Sequence, residues 1–496
     1  MTTEISENFT GDSKPECGFN HMVANYQFGT DKYIHPYMLI NGANMIAVPL
    51  SDPFCTKVIR KAGYDNGTIM KTEDTKEVLG MLAAYAEFDG EENWEINHRL
   101  GLTPSGKIEI DKGDKVGTRF IVEKGEVTVT CNGAETIVKR TPNMKPLPEP
   151  AESGCWSQLL RFLNMSSDEQ RMVIAWMTFM MVSPRLPSTM YVYMLLLGGH
   201  GSGKSWVAKS IIRRFIDPIT NGIATFPKDA KDMAIAAKNA HLLIWDNIRT
   251  ISKDMSDYLC VACTGGTVNG RALYTNDQEH VLQFHFPFVL TSLHHPVTEA
   301  DLVSRGLTIH LKRIPEAQRK EEKELEEELD RLTPQIYRGL LDLAASNLAN
   351  LDSVELAYPA RMMGFAKWLA ASEVSMGLEP GKLQKAYRDN IQKSYLESLQ
   401  EDAFAYATYE FARRYPAPDY WTGTPSRLLE QISRGQPQKL VNNPKNWPQN
   451  AISLGKRLPA IEKALETQGV HIVLGERSKQ RRVTIGMKPI DSTVTG

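Results

Sequence analysis

The stretch YVYMLLLGGHGSGKSWVAKSIIRRF, residues 191–215, decides the fold. Seven apolar or aromatic residues run into a glycine-rich turn, and Lys204-Ser205 opens a helix. A buried strand, a tight turn and an amphipathic helix in that order make the opening βα unit of a parallel sheet. The turn reads GxxxxGKS over Gly198, Gly199, His200, Gly201, Ser202, Gly203, Lys204 and Ser205. Glycines let successive backbone N–H groups turn inward toward phosphate oxygens. Lys204 brings an ammonium to the β- and γ-phosphates, and Ser205 brings a hydroxyl to Mg2+. The helix points its positive end at the same anions, and Trp206 is counted with the nucleotide-contacting residues. ATP and Mg2+ are therefore expected, but the motif does not say what the nucleotide is used for.

A second strand follows in AHLLIWDNIRT, residues 240–250. Leu242, Leu243, Ile244 and Trp245 are apolar, and Asp246 ends the run. An acid there either joins Ser205 around Mg2+ or caps a turn. Asn247 stands where many ATPases carry Glu. An amide cannot accept a proton at neutral pH, although it can orient a water. Either the base lies elsewhere, with Asp254 and Asp257 nearby in the chain, or hydrolysis is slow. A third strand, FPFVLTSLHH (286–295), is expected beside the first two. Thr291 or Ser292 at its end bonds the attacking water or the γ-phosphate, or is a plain strand-end hydroxyl. TEADLVSRGLTIHL (298–311) sets Arg305 between a polar loop and a final strand. Its guanidinium either reaches a neighbouring subunit's γ-phosphate as an arginine finger or pairs locally with Asp301. TGGTVNGRALYTNDQEH (264–280) reads as a hairpin turning at Asn269-Gly270. Carrying Arg271 and Tyr274, it either tracks a nucleic-acid strand and stacks on its bases or is a structural turn.

Around these motifs the 496-residue chain has a net charge of −2, with 42% hydrophobic and 23% charged residues. Such values suit a multidomain globular protein with its own core, and not an overall polyanion binder. Six cysteines show no framework spacing, so a reducing cytoplasmic interior is expected. Cys260 and Cys263 read as core residues, because no second pair exists to complete a zinc site. No apolar run reaches the roughly 18 residues of a membrane span, and no membrane partner is expected.

The expected fold class is α/β and multidomain. Residues 1–20 read as a disordered tail. Residues 21–150 read as a small α/β accessory domain, ending in the proline-rich linker TPNMKPLPEPAESG (141–154). Residues 151–320 form the P-loop ATPase core. Residues 321–415 form a helical lid or linker region, and the charged run PEAQRKEEKELEEELDRL (315–332) reads as a solvated helix face. Pro416 and Pro418 mark the start of a terminal domain, 416–496. From residue 421 onward it carries 12 Lys+Arg against 5 Asp+Glu. Helices over 424–433 and 448–469, then two strands over 470–486, fit a winged helix. Lys456 and Arg457 would lie on or near the helix that enters the major groove. Arg477, Lys479, Arg481 and Arg482 would lie on a phosphate-touching wing. A solubilising tail or protein-contact domain is the alternative.

The ordered set GGHGSGKS, HLLIWDN, SDYLCVACTGG, RALYTND, FPFVLTSL, DLVSRGLTIHL and YPARMMGFAKWLAASE resembles the phage- and plasmid-type primase–helicases. Their ATPase domain belongs to helicase superfamily 3 and is AAA+-like, and the resemblance covers roughly 150–415. It implies a homo-oligomeric ring, usually hexameric, with ATP at the subunit interfaces. It implies that Arg305 is the trans-acting arginine and that Arg361 is the lid position often called sensor 2. It also implies that the region of Arg271 faces DNA and that the chain ends in a DNA-binding winged helix. Related sequences often carry Asn where Thr291 stands, and 1–150 lacks the clustered acids of a primase. The expected function is an ATP-dependent, ring-forming DNA helicase or translocase replicating a phage, plasmid or integrated element. Its partners would be single-stranded or forked DNA and that element's replication proteins. The alternative is an ATP-gated DNA-binding switch or assembly platform with slow hydrolysis, in mobile-element control or anti-phage defence. A small-molecule kinase would leave the basic terminus and the hairpin without a role.

Overall fold

The computed structural model describes residues 13–41, 44–270, 280–475 and 482–489. The first unit is built on a ten-stranded, mostly antiparallel sheet among the described residues. Helices α1 (Lys14–Asn25), α2 (Pro53–Asp65) and α3 (Thr72–Phe88) accompany it. Met22, Ile59, Val78 and Leu82 from the three helices share one core with Phe28 and Met38 of the sheet. The expected tail to residue 20 is corrected here, because α1 begins at Lys14. The sequence SKPE carries the reason. Ser13 and Glu16 form a reciprocal capping box, Pro15 sits in the first turn, and Met22 is fully buried.

The proline-rich segment is not a free linker either. The N–H of Lys145 donates to Pro218 O at 2.8 Å, that of Leu147 to Lys112 O at 2.8 Å, and that of Ala151 to Pro334 O at 3.0 Å. A segment without regular structure still needs partners for its backbone polar groups, and here the second unit supplies some of them. Its end crosses a long helix at backbone contact. A Cβ on Gly154 would lie 2.2 Å from Gly339 N, so both positions require glycine.

The second unit follows the predicted βα order. Helix α4 (Ser167–Met181) leads to β1 (Tyr193–Leu197), the phosphate loop, and a helical run from Lys204 to Ile216 with a π-helical middle. Then come β2 (Leu243–Ile248), α5 (Lys253–Thr264), β3 (Phe288–Ser292) and β4 (Gly306–His310). All pairings are parallel and the strand order is β2-β3-β1-β4. Being buried on both faces, β1 and β3 are continuous apolar runs. Strands Gly266–Gly270 and His280–Phe284 pair antiparallel as expected, but Asn269 and Gly270 are paired with Val281 and His280. Asn269-Gly270 is therefore part of the ladder and not the expected turn, and the expected DNA-facing Arg271 and Tyr274 lie outside the described residues.

The region 321–415 does not stand apart as a lid. Helices α6 (Glu322–Asn350), α7 (Met363–Ser375) and α8 (Lys382–Gln400) share one core with α4 and the sheet. Trp368 Nε1 donates to Ala175 O at 3.0 Å. The charged start of α6 is exposed, yet Arg214 pairs with Glu326 and Asp330 there.

The last unit starts before the prolines at 416 and 418. Helix α9 (Ala403–Ala412) shares its core with α10 (Pro425–Ser433), α11 (Ala451–Glu466), β6 (Val470–Leu474) and β7 (Val483–Met487). With β5 (Trp421–Gly423) on the edge, the sheet order is β5-β7-β6. Phe404 and Phe411 are buried and stack edge-on against Trp447 and Trp421, which ties α9 to this unit and moves its boundary upstream of 416. No helix among the described residues is long and apolar enough to cross a membrane.

Candidate nucleotide-binding site

The phosphate loop leaves the C-terminal end of β1, where open parallel sheets bind ligands. Gly201 and Gly203 have φ of +73° and +83°, values that glycine adopts without strain. Lys204 Nζ donates to Gly198 O at 2.6 Å and to Gly199 O at 3.1 Å, so the lysine braces its own loop. Burial draws its ammonium below the ordinary lysine range, while the Asp246 carboxylate opposes that shift. Ser202 is buried, and its hydroxyl has no hydrogen-bond partner among the described residues.

Two hydroxyls converge on Asp246. Ser205 Oγ lies 2.9 Å and 3.1 Å from its two carboxylate oxygens. Thr291 Oγ1 donates to Asp246 Oδ1 and accepts from Asn247 N at 2.9 Å. A hydroxyl and a carboxylate in contact are hard oxygen donors that suit Mg2+, which binds through one or two protein groups and keeps several waters. The residues present thus fit Mg-ATP. Lys204 and the loop N–H groups would hold phosphate, and Ser205 with Asp246 would hold the metal.

Two expected roles change. A hydroxyl has one proton, and that of Thr291 goes to Asp246, so here Thr291 orients the acid and has no proton to offer a phosphate oxygen. Asn247 sits at φ +57°, exposed, at an irregularity in the β2–β3 register. Asn tolerates that left-handed conformation better than Glu, so the backbone gives a reason for the residue that the chemistry did not. Thr291→Val is expected to raise the Mg2+ concentration for half-maximal nucleotide hydrolysis about tenfold, the scale of lost second-layer support to a metal ligand. An Mg2+ titration of phosphate release checks this, and an unchanged midpoint would refute it.

Trp206, counted with the nucleotide-contacting residues, is half-buried and packs against the core, with its ring 6.1 Å from Phe162. Arg361, counted with them as the sensor 2 position, has its hydrogen-bond partners elsewhere. Arg361 Nη1 lies 2.6 Å from Asp301 Oδ1 and donates to Ser304 Oγ at 2.8 Å. Arg305 binds the other side of Asp301, so for this arginine the local-pair alternative is formed. Although burial opposes it, Arg361 and Arg305 hold the Asp301 carboxyl down to about 2. The cluster lies at the start of β4, where Tyr193 N donates to Arg305 O at 3.2 Å. The phosphate loop lies at the other end of β1, whose five residues separate the two by about 16 Å at ~3.3 Å per residue. The pair Arg305–Arg361 therefore points away from its own phosphate loop.

Sequence reading also missed a brace beside the loop. His310 ends β4, and its two ring nitrogens lie 3.2 Å from Glu169 and 2.8 Å from Glu397. Although burial opposes it, those carboxylates push the imidazole up to about 9. Only the strand register brings the three residues together, since β4 pairs His310 with Leu197 at the loop. Cys260 and Cys263 are buried in α5, as core residues should be.

In the terminal unit, Ile452, Lys456 and Lys463 lie along one exposed face of α11. Arg457, partly exposed, pairs with Asp402 at the start of α9. Arg482 is exposed beside β7. Arg477, Lys479 and Arg481 lie outside the described residues.

Residues 156–394 match the family model described as actinomycete integrative conjugative element replication protein. Residues 404–493 match the AICE RepA C-terminal domain, and this match begins at α9. No curated protein matches the chain. Among solved structures, the NrS-1 C terminal region is similar at 12% identity and TM-score 0.40, covering 95% of this chain and 100% of that one. A structure titled "SCCmec type IV Cch - active helicase" is similar at 11% identity and TM-score 0.47, covering 93% of this chain and 92% of that one.

Proposed function

We propose that this chain, matched over most of its length to a replication protein of a mobile element, is an ATP-driven, ring-forming DNA helicase or translocase acting in the cytoplasm. One observation carries the reading. The phosphate loop and the Arg305–Asp301–Arg361 cluster occupy opposite ends of one sheet. Each subunit then has a triphosphate cradle on one side and a guanidinium pair on the other. Head-to-tail association, repeated until it closes, would bring the cluster of one copy to the cradle of the next. A ring of six fits this scheme. Hydrolysis passing around the ring would move the hairpins bearing Arg271 and Tyr274 along a strand.

The order α9, β5, α10, a short helix (Gln438–Val441), α11, β6 and β7 supports reading this unit as a winged helix. The exposed face of α11, with Lys456 and Lys463, would enter the major groove, and the β6–β7 connection with Arg482 would meet phosphate.

The test is ATP-dependent unwinding of a forked duplex, together with a mixing experiment. Lys204→Ala and Arg305→Ala proteins are each expected to be inactive. Mixed one to one, they should regain about a quarter of wild-type ATP hydrolysis, because about one interface in four then pairs an intact loop with an intact arginine. No recovery on mixing, from subunits shown to co-assemble, would remove the shared site.

Asn247 favours a second reading, an ATP-gated DNA-binding switch. Its amide cannot act as a base, and its side chain is exposed. DNA-stimulated turnover of about 1 s⁻¹ or faster would exclude a slow switch.

A further inference from the structure

With Arg361 turned to the far end of the sheet, the nucleotide site of a single subunit has Lys204 as its one expected cation. The chain after β4 supplies another. Leu311 N donates to Leu197 O at 2.7 Å and Lys312 N donates to Asn164 O at 3.0 Å, so the segment stays against the root of the phosphate loop. It then runs over the loop. Ile314 Cδ1 lies 3.8 Å from where a Cβ on Gly203 would be. Arg319 comes closer still: its Nη2, Cζ and Nε lie 2.7, 3.4 and 3.8 Å from where a Cβ on Gly201 would be. The guanidinium rests on the loop in space that any side chain at 201 would take.

We infer that Arg319 is the cis-acting arginine of this site and contacts the phosphate chain of the nucleotide held by Lys204. The inference rests on reading the loop as a nucleotide site. Arg319 is exposed, and the only hydrogen bond of its guanidinium among the described residues is a long one, Nε to Ile314 O at 3.4 Å. Among those residues no carboxylate holds it, whereas Arg305 and Arg361 share Asp301 and Arg214 is held by Glu326 and Asp330. The guanidinium rests on the same loop that carries the Lys204 ammonium, so two like charges share one turn with no anion between them. The arrangement becomes favourable with a polyphosphate between them, and the planar guanidinium fork matches phosphate oxygens two at a time. Neither the sequence motif nor the lid position pointed to residue 319. The signal is purely the path of the strap.

The test is equilibrium titration of the full chain with a fluorescent, non-hydrolysable ATP analogue. Arg319→Gln is expected to weaken binding about tenfold, the size of one lost charge-assisted hydrogen bond. Arg319→Lys, which keeps charge but loses the fork, should fall between Gln and wild type, and Arg331→Gln, at an exposed arginine of α6, should bind within about twofold of wild type. If Arg319→Gln binds as wild type while Lys204→Ala is weakened, the assignment of Arg319 is overturned and the nucleotide site stands. Equal weakening by Arg319→Gln and Arg331→Gln also overturns it. If the wild-type chain fails to bind the analogue, the nucleotide reading itself falls.

Discussion

Lys204→Ala is expected to lower ATP hydrolysis by about 10²- to 10³-fold, the range for removing one preorganised charge from a reacting phosphoryl group. The structure gives two reasons for an effect that large. The ammonium is the charge placed to meet β- and γ-oxygens, and it is partly desolvated, which strengthens its attraction to an anion. It also ties the loop together through Gly198 O and Gly199 O, so alanine loosens the cradle as well as discharging it. The measurement is steady-state phosphate release at saturating Mg2+, with circular dichroism to show that the fold persists. Hydrolysis within about threefold of wild type would remove Lys204 from the chemistry.

Arg99→Ala is expected to destabilise the protein by about 3–5 kcal/mol, the cost of stripping one partner from a buried ion pair. Arg99 and Asp217 are both fully buried, and they join the first unit to the end of the phosphate-loop helix. Arg99 Nε donates to Asp217 Oδ1 at 3.0 Å, and its other nitrogens reach the backbone oxygens of Asp111, Lys112, Lys145 and Pro218. Alanine leaves all of these acceptors short of a donor. The pH dependence has a definite sign. Burial alone would raise the Asp217 carboxyl, but Arg99 and Arg213 draw it below its ordinary value. In the native protein this group therefore adds stability above the unfolded carboxylate range, and that contribution is lost as pH falls through the depressed value. Without Arg99 burial regains weight, so the mutant's deficit should be greatest near neutral pH and shrink on acidification toward about 4. Thermal melts of both proteins from pH 4 to 8 check this. A deficit that grows on acidification would show that the pair is not the source. Replacing both residues by leucine should cost less than Arg99→Ala alone.

Parts of the candidate site were legible in one dimension because their geometry is local. GxxxxGKS needs only its own glycines, a buried strand before it and a helix after it. The apolar runs of β1, β2 and β3 marked strands buried on both faces. Asp246 is legible as the acid that ends β2. Thr291 was read as a free hydroxyl because nothing in FPFVLTSL says that β3 lies between β1 and β2, which is what hands the hydroxyl to Asp246. Asn247 was read for its side chain, while its backbone φ, visible only in the fold, gives a reason for its presence. Arg457 was grouped with Lys456 by adjacency, yet neighbours on a helix point about 100° apart, and one of them faces Asp402.

By itself the sequence determined that a phosphate-loop motif joins a buried strand to a helix, that a parallel sheet carries it, and that the last 76 residues are basic. The tertiary structure decided which charge meets which. Arg305 and Lys204 are both motif residues, but parallel pairing of β1 and β4 puts them at opposite ends of the sheet. Arg99 and Asp217 stand 118 residues apart, and Arg319 reaches Gly201 only because the strap turns back over the loop. Hydrophobic periodicity states which face of an element is buried. It carries no information about strand order or the path of a connection, and those set every long-range charge contact here.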